Sequence, residues 1–402
     1  MTLIECFDRT NMENLAGTLY LHPDKVILVG DQEKMTLVCE NLKALIFQRS
    51  MKTQVEPCDI AGMKIAQIAD TLEDLVRSNG DCVIDVTGGE EPVILAVGAV
   101  LERMGDKGPK VQKFDLNKDL VIDCDGDGKT EPCQRVNMSV RELVALHGGI
   151  VHPLTTVPEG ANLQELNKLW KYMGSKPTLW NKMLTTLAQV EKRSEDKENY
   201  EVSLRKLRGE IKDFASKQAE FEELLSQFEK RGIITNRSDS EAYRYCYNSE
   251  LFRYCTKKAG NLLELKVLLE AQALRIDGEP FFDDCRMGVG IDWDGVVHGQ
   301  GEKTADTHNE VDVVVTRGLK TLFISCKNGD VDDELYKLHT VAERFGGPAV
   351  RKVLIATNLT FDSPASKRSF EQRAWDMDIH LATHVGTYSP QQWAELFASL
   401  MK

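Results

Sequence analysis

The sequence predicts an α/β protein in which two α/β units flank a charged helical segment. Two observations predict the first unit: the short apolar runs 25–30 and 81–86, each ending at or just before a glycine, and the helix-type apolar spacing that follows them. A third observation predicts the second unit, since strand-like and helix-like segments alternate again after residue 285. Strands that alternate with helices usually form a largely parallel sheet covered on both faces.

Residues 1–155 are predicted to form the first unit, with an order of strand and helix typical of Rossmann-like folds. A hairpin built from 114–123 and 133–138 is expected near its end. The helices are expected at 42–49, 65–78 and 92–104.

Residues 156–240 are predicted to be a helical linker, because 191–230 is highly charged and carries apolar residues at helical spacing. Residues 241–402 are predicted to form the second α/β unit, beginning with a helical stretch over 242–273 that is centred on Gly260. Its strands are expected at 286–293, 311–316, 321–326, 350–357 and 379–384, and its later helices at 332–345, 364–377 and 390–402.

The formal net charge of −13 argues against a protein that coats nucleic acid over much of its surface. It does not exclude a nuclease, because a bound metal ion can supply positive charge at a phosphate. None of the ten cysteines forms a CxxC pair, so reduced thiols and a cytoplasmic location are expected. No apolar run approaches the roughly 18 residues of a membrane-spanning helix.

The stretch 309–327 is the most informative for function, because it predicts a strand, a tight turn and a second strand. Side chains alternate between the two faces of a strand, so Glu310 and Asp312 share one face, as do Ser325 and Lys327. A turn centred between residues 318 and 319 places Asp312 opposite Ser325 and Glu310 opposite Lys327. A slip by one residue would set Asp312 beside the apolar Ile324 instead.

This patch suits the hydrolysis of a phosphodiester. Carboxylate oxygens of Glu310 and Asp312 are hard ligands for Mg²⁺ or Mn²⁺, and such an ion polarises the phosphoryl group and activates water. The ammonium group of Lys327 can stabilise the negative charge that develops during attack. Asp292 and Asp294 are weaker candidates, because an Asp-Gly pair at the end of a strand usually forms a turn.

A third acid fits the same site. Glu264 follows Gly260 in a helix that precedes the first of these strands. A helix with this acid, a strand, a strand with Asp312, a strand with Lys327 and a final helix together resemble the PD-(D/E)xK nucleases, whose domain is restriction-endonuclease-like. The resemblance implies that Glu264, together with Glu310 and Asp312, binds metal.

One position departs from that family. Its members usually carry Asp or Glu two residues before the lysine, and this chain has Ser325 there. Two interpretations remain open: Glu310 supplies the missing charge from across the hairpin, or the site binds its metal weakly.

Near the N-terminus, Thr87-Gly88-Gly89 follows a buried strand and precedes a helix. Backbone N–H groups at such a junction favour anions, and glycines let a phosphate approach the main chain. With the opening segment 4–14 and the strand 21–30, these residues resemble CARF domains, which are Rossmann-like sensors of cyclic oligoadenylates made during type III CRISPR immunity. The resemblance implies that Thr87, Gly88 and Gly89 line the ligand pocket, together with Thr10 and Asn11.

A CARF domain followed by a PD-(D/E)xK domain resembles the CRISPR ancillary nucleases. That resemblance implies a homodimer with one shared pocket, often for cyclic tetra-adenylate, and cleavage of DNA, RNA or both with Mg²⁺ or Mn²⁺. Two alternatives remain: a ligand-sensing regulator with an inactive nuclease-like domain, to which Ser325 points, and an enzyme that degrades the cyclic nucleotide itself.

Overall fold

The structure is a computed structural model of the 402-residue chain. It describes residues 1–124, 126, 128–153, 155–293, 308–329, 331 and 333–402.

The first part of the chain forms a seven-stranded sheet. Its strands are β1 (Thr2–Cys6), β2 (Lys25–Gly30), β3 (Gln54–Asp59), β4 (Cys82–Asp85), β5 (Lys110–Asp115), β6 (Leu120–Asp123) and β7 (Thr130–Pro132). Its helices are α1 (Glu13–Leu21), α2 (Gln32–Gln48), α3 (Ile65–Asn79), α4 (Glu91–Met104) and α5 (Val140–Leu146), and the strand β8 (Ile150–Pro153) follows. The strand order is β3-β2-β1-β4-β5-β6-β7, with the first five strands parallel and the last two antiparallel.

Helices cover both faces of this sheet, as the sequence predicts. On one face, α3 and α4 pack over a cluster that includes Ile4, Ile27 and Ile84. On the other face α1 approaches the sheet closely, since a Cβ added to Gly17 would lie 2.8 Å from Leu3 Cδ2. The winding reverses between β1 and β4, which makes the carboxyl ends of these two strands the usual position for a ligand in an open α/β sheet.

The middle of the chain combines helices with a small sheet. Its elements are α6 (Leu163–Ser175), α7 (Pro177–Lys192), β9 (Asn199–Ser203), α8 (Leu204–Glu210), α9 (Phe214–Lys230), β10 (Ile234–Asn236) and β11 (Ala242–Tyr247). The three strands pair antiparallel in the order β10-β11-β9.

The last part of the chain forms a six-stranded sheet in the order β18-β17-β16-β15-β14-β8. Its strands are β14 (Asp284–Asp292), β15 (His308–Arg317), β16 (Lys320–Gly329), β17 (Val350–Leu359) and β18 (Ile379–Ala382), after the short pair β12 (Arg275–Ile276) and β13 (Glu279–Pro280). Its helices are α10 (Glu250–Lys257), α11 (Asn261–Ala273), α12 (Glu334–Phe345), α13 (Pro364–Asp376) and α14 (Pro390–Leu400). No helix among the described residues is long and apolar enough to cross a membrane.

Three local predictions are wrong. The segment predicted as helix over 242–273 begins with the strand β11, in which Tyr243 and Tyr245 are buried at alternate positions and Tyr245 stacks on Tyr200 of β9. The charged stretch 191–230 is likewise interrupted by β9. The strand that pairs with β6 is β7 (Thr130–Pro132), and residues 133–138 are not a strand. Strand pairing between distant segments decides the first two cases, and helical spacing of apolar residues does not reveal it.

The three predicted units share their apolar cores. One core joins α6, α7 and α9 to α11 and to one face of the β15–β16 hairpin, where Val313 and Ile324 lie. The opposite face, with Val314 and Phe323, packs in a second core with residues of α1, α2, α5 and α12. β8 also belongs to the last sheet, where it pairs with β14, although the sequence assigns it to the first unit. The segment 156–240 is therefore packed against the last sheet along much of its length.

Candidate catalytic and ligand-binding sites

The hairpin of β15 and β16 has the register that the sequence predicts. Val313 pairs with Ile324, and the same offset sets Asp312 beside Ser325. The Ser325 hydroxyl donates a hydrogen bond to Asp312 Oδ2 over 3.3 Å, and the backbone N–H of Cys326 donates to the same oxygen over 2.6 Å. Asp312 is thereby held in place from the facing strand.

Glu264 lies in the first turn of α11 and reaches the same site. Burial raises the pKa of its carboxyl to about 7, and the negative charges of Asp312 and then Glu310 contribute to this rise, whereas Lys327 opposes it. A neighbouring charge shifts a pKa appreciably only from a few ångströms away. The structure therefore brings together all four residues that the sequence predicts to be catalytic.

The position of Glu264 follows from how α11 is built. The helix is apolar on nearly every side, and such helices lie inside a protein. Gly260 precedes it, and a Cβ at that position would lie 2.8 Å from Glu264 Oε1. The glycine therefore leaves room for the carboxylate to turn back over the start of the helix. The buried residues of α11 include Leu262, Leu263, Leu265, Val267 and Leu268.

Asp312 and Lys327 are electrostatically coupled. Burial raises the pKa of Asp312, while the hydrogen bond from Cys326 and the charge of Lys327 counteract that rise. Burial lowers the pKa of Lys327, but the charges of Asp312 and Glu334 outweigh it, so the lysine pKa is raised overall. Lys327 therefore remains an ammonium group beside the acids.

Glu334, in the first turn of α12, is a site residue that the sequence reasoning missed. Its Oε2 lies 2.9 Å from Lys327 Nζ, and its Oε1 accepts a hydrogen bond from the Ser325 hydroxyl over 2.8 Å. The carboxylate thus occupies the neighbourhood in which the PD-(D/E)xK pattern expects an acid at position 325. The available signal was an acid seven residues after Lys327, at the start of a predicted helix.

Glu310 contributes through its charge and not through a close contact with Lys327. Its side chain is exposed, it pairs in the sheet with Gly290 of β14, and its charge raises the pKa values of Glu264 and Asp312. The predicted offset sets Glu310 opposite Lys327 along the hairpin, but the carboxylate in ion-pair contact with Lys327 is that of Glu334.

The donor set of this site suits a hard divalent cation. Glu264, Glu310 and Asp312 offer carboxylate oxygens, the ligands that Mg²⁺ and Mn²⁺ prefer. Burial raises the pKa values of Glu264 and Asp312, neighbouring negative charges contribute to the rise, and a bound cation would oppose it. In the described ranges, no group of three or more His, Cys, Asp or Glu side chains is already arranged to hold a metal ion. The fit thus lies in the chemistry of the donors.

The predicted ligand-binding residues lie in two loops at the carboxyl ends of β1 and β4. These strands are neighbours, so both loops lie where the winding of the sheet reverses. Thr87 is fixed on two sides, since its N–H donates to Asp85 Oδ1 over 2.7 Å and its hydroxyl accepts from the N–H of Phe114 over 2.8 Å. The N–H of Thr10 donates to Asp8 Oδ1 over 2.8 Å.

The glycines let the two loops approach each other. A Cβ at Gly88 would lie 2.5 Å from the Cβ of Asp8, and Gly89 has a φ of +112° that side chains rarely adopt. The side chain of Asn11 points toward α5 and not only toward the loops: its amide donates a hydrogen bond to the carbonyl of Leu146 over 2.7 Å and so stabilises the end of that helix. The structure places these loops together, and their role in binding stays a prediction.

The two weaker acidic candidates lie near β14. Asp292 is 1% exposed and pairs with Ile150 and His308 in neighbouring strands, so it belongs to the interior of the sheet. Asp294 lies outside the described residues.

Two solved structures match the whole chain. Protein VC1899 from Vibrio cholerae overlaps it with a TM-score of 0.73 at 18% identity, covering 100% of this chain and 97% of that one. Can2 from Sulfobacillus thermosulfidooxidans, solved in complex with cyclic tetra-adenylate, overlaps with a TM-score of 0.67 at 15% identity, also covering 100% and 97%.

A third overlap is too weak to establish a shared fold: the structure of a type III CRISPR defence DNA nuclease activated by cyclic oligoadenylate gives a TM-score of 0.48 at 16% identity, covering 91% of this chain and 47% of that chain. No protein-family model matches the sequence, and no curated protein is significantly similar to it. Over its full length, the chain therefore has the α/β fold of VC1899 and Can2.

Proposed function

We propose that this protein is a metal-dependent nuclease, activated by cyclic tetra-adenylate, that cleaves DNA or RNA in the cytoplasm during type III CRISPR antiviral defence. The observation that supports the proposal is that α11 packs against β15 and β16, so that Glu264 lies within electrostatic reach of Glu310, Asp312 and Lys327. The whole-chain overlap with Can2, whose structure contains cyclic tetra-adenylate, supports the choice of activator.

The site residues have distinct roles in this proposal. Glu264, Glu310 and Asp312 would hold Mg²⁺ or Mn²⁺, which when bound lowers the pKa of a water molecule and polarises the phosphoryl group. Lys327 would stabilise the charge that develops on the phosphorane. Glu334 orients the Lys327 ammonium group, and the N–H of Cys326 orients Asp312.

The sensor role rests on the loops after β1 and β4. Backbone N–H groups at the start of a helix favour phosphate, and the Thr87 hydroxyl, which accepts from Phe114 and interacts with Asp85, lies in the same loop. In a homodimer, two copies of Thr10, Asn11, Thr87, Gly88 and Gly89 would face one ring-shaped ligand across a two-fold axis.

The test is a cleavage assay with labelled DNA and RNA, with and without cyclic tetra-adenylate, in Mg²⁺, Mn²⁺ or a chelator. We expect cleavage only when both ligand and metal are present. We expect Lys327→Ala to abolish cleavage while leaving cyclic tetra-adenylate binding, followed by calorimetry, unchanged. Cleavage that survives in the variant would reject the assigned site.

A ligand-sensing regulator with an inactive nuclease-like domain is the second candidate. Two observations favour it: Ser325 stands where an acid is usual, and the ion pair with Glu334 already engages Lys327. Absence of cleavage of every DNA and RNA tested, together with retained binding of cyclic tetra-adenylate, would support this candidate.

A further inference from the structure

Three cavities adjoin one another along α7. The first has a volume of about 280 Å³ and shares Asn181 with the second, of about 390 Å³. The second shares Ala188, Lys192 and Lys257 with the third, of about 830 Å³. Together they form one depression between α7 and the corner where α10 leads into α11, and we call it the α7 groove.

The α7 groove borders the candidate catalytic site at three points. Asn328, which directly follows Lys327, lines its narrow end. Lys258 lines its middle, and its charge lowers the pKa of Glu264. Tyr254 lines its wide end, and its phenol pKa is raised by burial and then by the charge of Glu264. The Tyr254 hydroxyl is buried without a hydrogen-bond partner among the described residues.

The groove carries cations that no carboxylate neutralises. Lys192, Lys257 and Lys258 are exposed, and none lies within ion-pair distance of a carboxylate in the described parts of the chain. Two further cations in the wall are engaged: Lys197 donates to backbone carbonyls, and Arg253 pairs with Glu250. Three unpaired lysines beside an acidic centre are unexpected in a chain of net charge −13, and clustered cations along a groove suit a polyanion.

From this geometry we infer that the α7 groove binds the phosphodiester backbone of the substrate strand and leads it to the catalytic site. Lys257 and Lys258 hold phosphates next to the bond that is cleaved, and Lys192 holds one farther along. Tyr254 offers an aromatic surface between them, as in grooves that bind single strands. The inference rests on the proposed nuclease function, and it makes the segment 156–240 part of the substrate-binding surface.

The test compares the full-length protein with the double variant Lys192→Glu/Lys257→Glu and with Lys230→Glu. Lys230 is a matched control, because it is an exposed lysine in the last turn of α9, as Lys192 is in α7, and it does not line the groove. A fluorescein-labelled single-stranded oligonucleotide serves as the probe, with binding followed by anisotropy and cleavage by gel.

For the double variant we expect weaker binding and a higher KM with little change in kcat, because the lysines contact phosphates that flank the reacting one and not the reacting phosphate itself. For the double variant, the slope of log K against log salt concentration should be shallower by about 1.4, because each lost phosphate contact with a single strand reduces it by roughly 0.7. The control should match the wild type, and binding of cyclic tetra-adenylate should be unchanged in all three proteins.

Failure of this inference differs from failure of the proposed function. If the wild type cleaves the oligonucleotide and the double variant keeps its KM and salt dependence, the groove inference is wrong and the nuclease assignment stands. If the wild type cleaves nothing, the anisotropy measurement still tests the groove. Oligonucleotide binding that is lost only in the double variant supports the inference. Equal binding by the wild type and the double variant, or no binding by the wild type, overturns it.

Discussion

Two groups of neighbouring acidic side chains in this molecule differ in their surroundings. In the first sheet, Glu5 of β1 and Asp85 of β4 are paired neighbours, and both are fully buried. A Cβ added to Gly17 of α1 would lie 2.8 Å from an oxygen of each. Burial, and then the charge of Asp85, raises the pKa of Glu5 well above its usual range, and burial raises that of Asp85 to about 6.

The second group, Glu264, Glu310 and Asp312, has cations and solvent beside it. Lys327 and Lys258 act on its charges, Glu310 is exposed, and the α7 groove leads away from it. In the described parts of the chain no ion pair reaches Glu5 or Asp85, and their raised pKa values favour the protonated carboxyl. A buried pair of acids is therefore not by itself a candidate site for phosphate chemistry, and the proposed site differs from it by its neighbouring cations and its open path.

The strongest test of this contrast exchanges one acid of each group for its amide. We expect Asp312→Asn to lower the rate of ligand-activated cleavage by a factor on the order of 10²–10³, because the amide is a poorer ligand for the metal ion that would stabilise transition-state charge. Glu5→Gln should leave the rate close to that of the wild type, because its carboxyl is sealed beneath α1. Initial rates at saturating cyclic tetra-adenylate and Mn²⁺ provide the measurement, and equal losses in both variants would refute the contrast.

A smaller effect is expected from Glu334→Gln. The change removes the ion pair that orients Lys327, and loss of such a supporting contact typically costs about 10–100-fold in activity. Glu343→Gln is the matched control, since Glu343 lies on the same helix and also pairs with a lysine, Lys352, away from the site. A rate for Glu334→Gln as high as that of the control would remove Glu334 from the site.

The smallest expected effect concerns stability and pH. The pKa of Asp85 is raised from 3.8 to about 6 in the folded state, so the fold favours its protonated carboxyl. The contribution of Asp85 to the free energy of unfolding is therefore fully present below pH 4 and is lost as the pH rises through 6. That shift corresponds to roughly 3 kcal/mol at 1.36 kcal/mol per unit. Glu5 acts with the same sign, so Glu5→Gln should melt at a higher temperature than the wild type at pH 7, and the difference should shrink toward pH 4.

Thermal unfolding between pH 4 and 8 measures this difference. Glu131→Gln serves as the control, because Glu131 is an exposed acid on β7 of the same sheet. A melting-temperature difference for Glu5→Gln that does not depend on pH would show that Glu5 is not held neutral in the fold.

The hairpin that carries Asp312 could be predicted in detail from the sequence. Its strands bury apolar side chains on both faces near the turn, and a slip of the register by one residue would set Asp312 beside Ile324 instead of Ser325. The turn has a local signal as well, since Gly318 has a φ of +61° that glycine readily adopts. The loop with Thr87 and Gly88 could be predicted in the same way, because a buried strand ends just before a pair of glycines.

Glu334 and the strand β11 could not be predicted in this way. The carboxylate of Glu334 reaches Lys327 only because α12 packs back along β16, and no pattern within α12 records that packing. β11 pairs with β9, some 40 residues away in the sequence, through Tyr245 and Tyr200. Interactions between distant segments decide both cases, and single-sequence patterns report mainly on neighbours along the chain.

The strand β8 has a consequence for any attempt to divide this protein. It is the outermost strand of the last sheet, yet it directly follows the elements of the first sheet. A fragment that began at residue 156 would leave one edge of β14 unpaired beside the apolar Val289 and Ile291, and an exposed edge of that kind recruits other chains. Division of the chain at the boundary that the sequence suggests is therefore unfavourable. A rotation of one half relative to the other must also displace β8, which follows the elements of the first sheet but pairs in the last.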